Sequence, residues 1–404
     1  MIKEKDKNKA IMELLPFEEA YSIVMNSAFE TEIETIAFTR SLNRVLKEDI
    51  TCDMDIPPFN KSTVDGFACR RADLGAELEL IETIPAGTYP QKSVSENQCS
   101  KIMTGAAIPE GADMVIMVED SIILTSGSIR YTGSSAKNNI SPQGEDIRYG
   151  DRILEKGTLI RPQDIALLAM AGCTSLKAGK RPVVSVISSG SELVEPSVKP
   201  GLSQIRNTNS YQLMAQIESV GASGRNLGIA KDDEDETFDI ISQAISQSDV
   251  VLITGGVSMG DFDFVPSVLE RAGVRILFSR INIQPGKPVT FGIHKKALVF
   301  GLPGNPVSSF IQFELLVRPL LWKMMGYQWN PLIIELPMEI SFARKSAERR
   351  AMIPVSITKD GLVSPVEYHG SAHISAFSKA TGIITLGEGV KSVEKGEIVS
   401  VRQI

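Results

Sequence analysis

The amino-acid sequence predicts a multidomain α/β protein built around a mostly parallel sheet, and three observations carry that prediction. At 404 residues and about 150 residues per domain, nearly three compact units are expected rather than one. Between Arg181 and Gly326 the runs VVSVIS, VVLIT, VRILFS and ALVFGLP are short, apolar and β-branched, and the first two enclose segments of helical periodicity. Buried strands alternating with amphipathic helices make a mostly parallel sheet covered on both faces. On either side of this unit, from Asp53 to Asn138 and again after Tyr327, the texture is of strand-like runs broken by Gly and Pro.

Taken in order, residues 16–26 (PFEEAYSIVMN) begin with Pro16 and two acidic residues, the signature of a helix start. LELIETIPAG and MVIMVED belong to a small β-rich module. RPQDIALLAMAG is predicted as a helix with Ile165, Leu168 and Ala169 on one face and Gly172 as its stop. Inside the α/β unit, Leu213, Ile217 and Val220 mark one helix and Phe238, Ile241 and Ile245 another. NPVSSFIQFELLVRPLLWKMMG closes the unit as a long helix, apolar on most sides and therefore buried or at a subunit interface. Beyond it, IIELPMEI, AMIPVSI, GLVSPVEY, GIITLGEG and EIVSV predict a C-terminal β-barrel or sandwich of about 75 residues. Its opening stretch, Arg344 to Arg350, holds four basic residues, read as a solvated loop or as a guide for a polyanion.

Composition narrows the function. Lysine and arginine number 42 against 49 acidic residues, so 42 − 49 gives a net charge of −7, which argues against a nucleic-acid partner. Aromatic residues, at 6%, are too few for base-stacking platforms. Cys52, Cys69, Cys99 and Cys173 have no short pair spacing, which argues against a zinc ribbon or a disulfide framework and fits a reducing compartment. His369 and His373 lie four apart, but in a Gly/Ser-rich stretch unsuited to a zinc site. The N-terminus lacks the apolar length of a signal peptide, and no run approaches the roughly 20 apolar residues of a membrane span. A cytoplasmic protein with no membrane partner is expected.

Ligands of open parallel sheets bind beyond the carboxyl ends of the strands. Three stretches take that position here: Gly190 and Ser191 after VVSVIS; Thr254, Gly255, Gly256, Ser258 and Gly260 in TGGVSMGD; and Pro303, Gly304, Asn305 and Pro306 in LPGNP. Each alone reads as ordinary turn chemistry, but three on one sheet edge predict an anion or phosphate site lined by free backbone N–H groups. Glu192, Asp232, Asp261 and Asp263 gather there. Carboxylates beside phosphate imply a cation, Mg²⁺ held by one or two of them plus substrate oxygens. For Asp232 the plain reading is a solvated helix start. Lys287 in QPGKP adds a fixed positive charge. A second polar set, Ser62 and Asp65 in PPFNKSTVDGFA, Thr104 in the TG pair, and Glu145, Asp146 and Arg148 in QGEDIR, suits another wall of a cleft.

These stretches, with IRNTNSYQL and SSGSEL, occur in an order that resembles the MoeA-type molybdopterin molybdenumtransferases, the family that includes the C-terminal part of gephyrin, from about residue 10 to 404. The resemblance implies a discontinuous helical linking region (10–52 and 139–180), a small β-rich domain (53–138), an α/β molybdopterin-binding domain (181–329) and a C-terminal β-barrel (330–404). It implies a homodimer whose cleft combines both subunits, with molybdopterin adenylyltransferase and molybdoenzymes or their chaperones as transient partners. The implied reaction moves molybdenum from molybdate to adenylylated molybdopterin and releases AMP with Mg²⁺. Carried over by motif, Asp65, Thr104, Asp146, Glu192, Asp232, Asp261 and Lys287 are the catalytic candidates, and Asp261 with Glu192 the metal candidates.

Three departures stand out. Val64 and Phe67 replace the methionine and tyrosine of the family's MDGYA, and Gln284 stands where many members have a lysine, so oxyanion binding is expected to be weaker. Competing functions are the related adenylyltransferase, whose activity normally resides in a separate α/β domain of this type, of which this sequence shows only one, and a non-catalytic molybdopterin carrier or scaffold. Molybdate and tungstate are not separable by sequence.

Overall fold

A computed structural model describes residues 14–134, 137–256 and 265–404. Of the sequence candidates, Ser258, Gly260, Asp261 and Asp263 lie outside the described residues.

Helix α1 (Phe17–Asn26) follows Pro16 and buries Ala20 and Val24 in the largest apolar cluster. Strand β1 (Ile33–Ala37) then pairs antiparallel with β6 (Ser175–Gly179), so two distant stretches of chain form one layer. Between them a six-stranded sheet contains β2 (Gly66–Cys69), β3 (Glu77–Ile84), β4 (Gln98–Ile102) and β5 (Met114–Met117), in the order β5-β2-β4-β3 followed by two short strands. β2 is flanked by β4 and β5, with Gly66 opposite Ile102 on one side and Met117 on the other. Phe67 packs with Leu78, Met114, Ile116 and Ile129, so this position accommodates a ring without needing its hydroxyl. The same register sets Cys69 directly opposite Cys99. Sequence spacing had suggested no such pair. Both are free thiols, and burial pushes each up to about 12, which keeps them protonated and unreactive.

Helix α2 (Pro162–Met170) lies where periodicity placed it, but its buried face is Asp164 and Leu168, and Ala169 is exposed. The difference comes from capping. The Asp164 carboxylate accepts from the Arg161 N–H at 2.8 Å, which turns that acidic residue inward.

The α/β unit comprises β7 (Val183–Ser189), β8 (Leu193–Val194), β9 (Ile205–Arg206), α3 (Asn209–Ser219), β10 (Ser223–Ala230), α4 (Glu234–Gln247), β11 (Val250–Thr254), α5 (Val265–Arg271), β12 (Arg275–Arg280), β13 (Pro288–Ile293), β14 (Leu298–Leu302), α6 (Pro306–Gln312) and α7 (Arg318–Met325). The main sheet runs β10-β7-β11-β14-β13-β12. Its first four strands are parallel and the last two antiparallel. Alternation along the strands explains the double cover: Val184, Val186, Leu252 and Phe300 face Leu213, Ile217 and Val220, whereas Ile187, Val251, Ile253 and Val299 face Ile241, Ile245 and Val268. The long terminal helix is continuous from Pro306 to Met325 through a π-turn at Phe313–Val317, and is buried within the chain.

In the C-terminal region β15 (Ile333–Pro337), β16 (Arg350–Ile357), β17 (Val363–Pro365), β18 (Gly382–Leu386) and β19 (Ile398–Gln403) pair in the order β16-β18-β19-β15, with β17 on the other side of β16. A bridge from Met338 to Val363 joins the two ends and closes a small barrel around Val355, Ile384 and Val401. Among the described residues no helix is long and apolar enough to cross a membrane.

Candidate functional site

The ends of β7, β11 and β14 open onto one cavity of about 820 Å³, lined by Ser188, Ser189 and Gly190, by Thr254, Gly255 and Gly256, and by Pro303, Gly304, Asn305 and Pro306. The lining also includes Leu193, Ile205 and Arg206, and Ala372 and Ile374 of the C-terminal region. The latter loop is tied to the start of α6, where the Val307 N–H donates to the Ser371 carbonyl at 3.1 Å.

Side chains from the β9–α3 junction lock the three loops together. Asn209 Nδ2 donates to Thr254 Oγ1 and to the Gly304 carbonyl, each at 2.8 Å, and Thr254 Oγ1 donates to the Pro303 carbonyl at 3.2 Å. Ser188 Oγ donates to Asn207 Oδ1 at 3.0 Å. Gly255 has φ +93°, and a methyl there would land on the Ser189 carbonyl oxygen, so only glycine lets β7 and β11 end this close together. Asn207 and Asn209 escaped the sequence reading because an asparagine ahead of a helical run reads first as a cap.

Free backbone donors are fewer than the glycine loops suggest. The N–H groups of Gly190 and Gly255 donate to the carbonyls of Ala230 and Leu302, so two of the three loops use these N–H groups to hold themselves. Those of Gly304 and Asn305 have no acceptor among the described residues. Asp232 is likewise occupied. Its carboxylate accepts from the Ser191 N–H at 2.9 Å while its own N–H donates to Ser191 Oγ at 3.1 Å, a reciprocal clasp. Glu192, one residue along, is exposed and makes no ion pair among the described residues, with its carboxylate lying over Gly190.

Lys287 is exposed and does not line the cavity, although its neighbour Pro288 does. Its loop is fixed from below by Gln312, whose Nε2 donates to the Gly286 carbonyl at 2.6 Å. Of the basic stretch, Lys345 is exposed, whereas the three arginines are engaged within the chain. Arg344 donates to the carbonyls of Val390, Arg349 and Gly387, Arg350 pairs with Glu18 over the Phe17 ring, and Arg349 reaches the Ile283 carbonyl. His369 and His373 stack with parallel rings 5.0 Å apart, and His373 Nδ1 accepts from the His369 N–H, a geometry that cannot direct both lone pairs at one ion.

The second polar set forms a separate surface. Strand pairing of Lys61–Ser62 with Ile140–Ser141, and a bridge from Ile56 to Ile147, bring the PPFN and GED loops side by side. Ser62 is buried, with its hydroxyl donating to the Val64 carbonyl at 2.6 Å. Asp146 is exposed. Asp65 accepts from the Thr104 N–H at 2.6 Å and from its hydroxyl at 2.8 Å, and these bonds, the backbone one foremost, hold its carboxyl below the usual range. Whatever stability this pair lends is present above the ordinary carboxylate pKa and is lost as pH falls through the lowered value. Thr104→Val removes only the hydroxyl bond, and the Asp65 pKa read by carbon NMR is expected to move part-way back toward the ordinary value. None of Ser62, Asp65, Thr104 and Asp146 lines the cavity of the same chain.

Residues 15–172 match the MoeA N-terminal region (domains I and II), 185–323 a probable molybdopterin binding domain, and 338–404 the MoeA C-terminal region (domain IV). A Staphylococcus epidermidis protein named molybdopterin molybdenumtransferase is 36% identical over 396 residues, which span 95% of this chain and 94% of the relative. The chain belongs to the MoeA family. A Bacillus subtilis relative of the same name is 34% identical over 404 residues, spanning 96% of this chain and 93% of its own. Two crystal structures of a Pyrococcus horikoshii MoeA protein superpose over 97% of this chain, with TM-scores of 0.80 and 0.82 at 32% and 30% identity. The MoeA fold is thereby established for the whole chain, and the relatives' shared name is that of an enzyme.

Proposed function

We propose that this MoeA-family enzyme transfers molybdenum from molybdate to adenylylated molybdopterin and releases AMP in a Mg²⁺-dependent reaction, at a late step of molybdenum cofactor synthesis. The observation that carries the reading is the junction of three strand-end loops and an unpaired carboxylate, Glu192, around one cavity. The relatives' name supports the same substrates.

The residues fit Mg²⁺ in a limited way. No group of three His, Cys, Asp or Glu side chains converges among the described residues, but Mg²⁺ beside phosphates needs only one or two carboxylates, with water and substrate oxygens completing its shell. Glu192 is available for that, with Asp261 as second carboxylate. When bound, the ion would neutralise phosphate oxygens and stabilise charge on the departing AMP. The chain's own contributions are distinct. Gly304 and Asn305 offer N–H groups to anionic oxygens. Asp232 holds Ser191, and through it Glu192, in place. Lys287 presents a positive charge at the rim beside Pro288, where molybdate would approach.

Asp65, Thr104 and Asp146 complete the site from the facing subunit of a homodimer, in the cytoplasm. Purified protein given adenylylated molybdopterin, Mg²⁺ and molybdate should release AMP only when molybdate is present; adenylate formation from ATP and molybdopterin instead would overturn the reading, and a tungstate arm sets metal preference. The composite cleft has its own test. Asp65→Ala and Glu192→Ala proteins, each inactive, should recover roughly a quarter of wild-type activity when unfolded and refolded as an equal mixture, because half the dimers are mixed and each carries one intact site. No recovery would remove the shared cleft.

A further inference from the structure

The cavity takes an anionic substrate, yet its described lining carries an excess of the wrong charge. Glu192 and Asp232 stand against a single basic residue, Arg206. Lys287 lies outside the lining, and the N–H groups of Gly190, Ser191 and Gly255 are occupied within the protein. Beside the free N–H groups of Gly304 and Asn305, Arg206 is the one side-chain cation in the described lining.

Local structure suits it to that task. β8 and β9 pair in parallel, Val194 opposite Arg206, and the Ile205 N–H donates to the Glu192 carbonyl at 2.8 Å. Arg206 therefore extends from the strand that is bonded to the Glu192 backbone. Its Nε donates to the Val198 carbonyl at 3.3 Å, which orients the guanidinium plane and leaves both Nη groups without an acceptor among the described residues. The guanidinium and the Glu192 carboxylate both line the cavity and form no ion pair with each other. A planar fork of two N–H donors matches two oxygens of a phosphate, which a point charge does not.

The next residue supplies an independent sign of a ligand. Asn207 is 2% exposed and lines the same cavity. Its Oδ1 accepts from Ser188 Oγ and from the Ser210 N–H. A backbone N–H can only donate, so the amide orientation is fixed and the nitrogen points away from these partners, where it has none. Ser189 Oγ, also buried in the lining, is unpartnered too. Buried donors without acceptors are uncommon; Asn207 directly follows Arg206, whereas Ser189 Oγ lies beside Gly256.

We infer that Arg206 clamps the adenylyl phosphate through its two Nη groups, with the Asn207 amide as a neutral donor in the same lining, making the β8–β9 pair the element that selects a phosphorylated substrate. The inference rests on the adenylate-binding reading above and deepens it. Titration calorimetry on the full chain with AMP, and with adenosine as the phosphate-free control, tests it. Arg206→Ala should weaken AMP by about 10- to 100-fold, the worth of a charged hydrogen-bonded contact, with adenosine unchanged within about twofold; Arg206→Lys should recover only part of the loss. AMP affinity unchanged in Arg206→Ala, equal losses for AMP and adenosine, or a wild-type protein that binds the two alike would each overturn it. Turnover of adenylylated molybdopterin by the wild-type protein, measured alongside, separates the two readings: Arg206-dependent AMP binding without turnover upholds the clamp and removes the proposed activity.

Discussion

Glu192→Gln is expected to slow molybdate-driven AMP release by about 100- to 1,000-fold, the scale of losing one group that stabilises charge in a transition state. The fold should not notice. Glu192 is exposed and has no ion pair among the described residues, and exposed substitutions of this kind stay within about 0.5 kcal/mol. The amide is nearly isosteric, so it rests against Gly190 as the carboxylate does. What it loses is the negative charge that would hold Mg²⁺, so raising Mg²⁺ should restore part of the rate. Asp261→Ala belongs to the same class and should also abolish AMP release. Asp232→Asn makes a useful contrast, because its carboxylate acts on the Ser191 N–H; an amide oxygen can still accept that bond, so a loss of tenfold or less is expected. Release of AMP by Glu192→Gln within threefold of wild type, at unchanged thermal stability, would show that Glu192 holds no catalytic ion.

The contrast between Glu192 and Asp232 also indicates what the sequence could and could not disclose. Strands whose residues are apolar on both faces were visible as runs, and Val183–Ser189, Val250–Thr254 and Leu298–Leu302 are all strands. Ser223–Ala230 was not, because SGRNLGIA is the outer strand of the sheet and half exposed, so no apolar run marks it. Loop composition located the cavity, since glycines that permit close backbone approach have few other uses in such a pattern. It could not tell which N–H groups the loops would consume themselves. That depends on partners such as Ala230, Leu302 and Asp232, set by sheet register over tens of residues. The same limit hid Arg206, whose place on the cavity wall follows from a two-residue strand pairing with Val194. Charge runs misled in the opposite direction. Arg344 looked available until its guanidinium was found among three carbonyls.

Gly66→Ala should be the most damaging single methyl in the β-rich region. A Cβ at Gly66 would fall on the carbonyl oxygen of Ile116 in the adjacent strand β5, with its carbonyl carbon 2.9 Å and Val115 Cγ1 3.0 Å away. Backbone is the obstacle here, so no side-chain rotamer relieves it, and β2 must part from β5 or β4. Overpacking of well-ordered cores costs about 1–3 kcal/mol, and a backbone collision belongs at the upper end. For a region of this size that corresponds to a fall of roughly 10–20 °C in its unfolding midpoint. Activity should fall with it, for a geometric reason. Gly66 pairs with Ile102, and it is this register that brings Asp65, one residue before, within bonding distance of Thr104, two residues beyond. Separation of β2 from β4 therefore undoes the Asp65–Thr104 contact even where the chain remains folded. Gly255→Ala, which collides with the Ser189 carbonyl in the α/β unit, should leave the β-rich transition in place and lower a different one. Calorimetry on both variants decides the matter: a single shared transition shifted equally by either change would mean that the regions do not unfold separately, and a Gly66→Ala midpoint within about 2 °C of wild type would mean that β2 and β5 are not packed as closely as described.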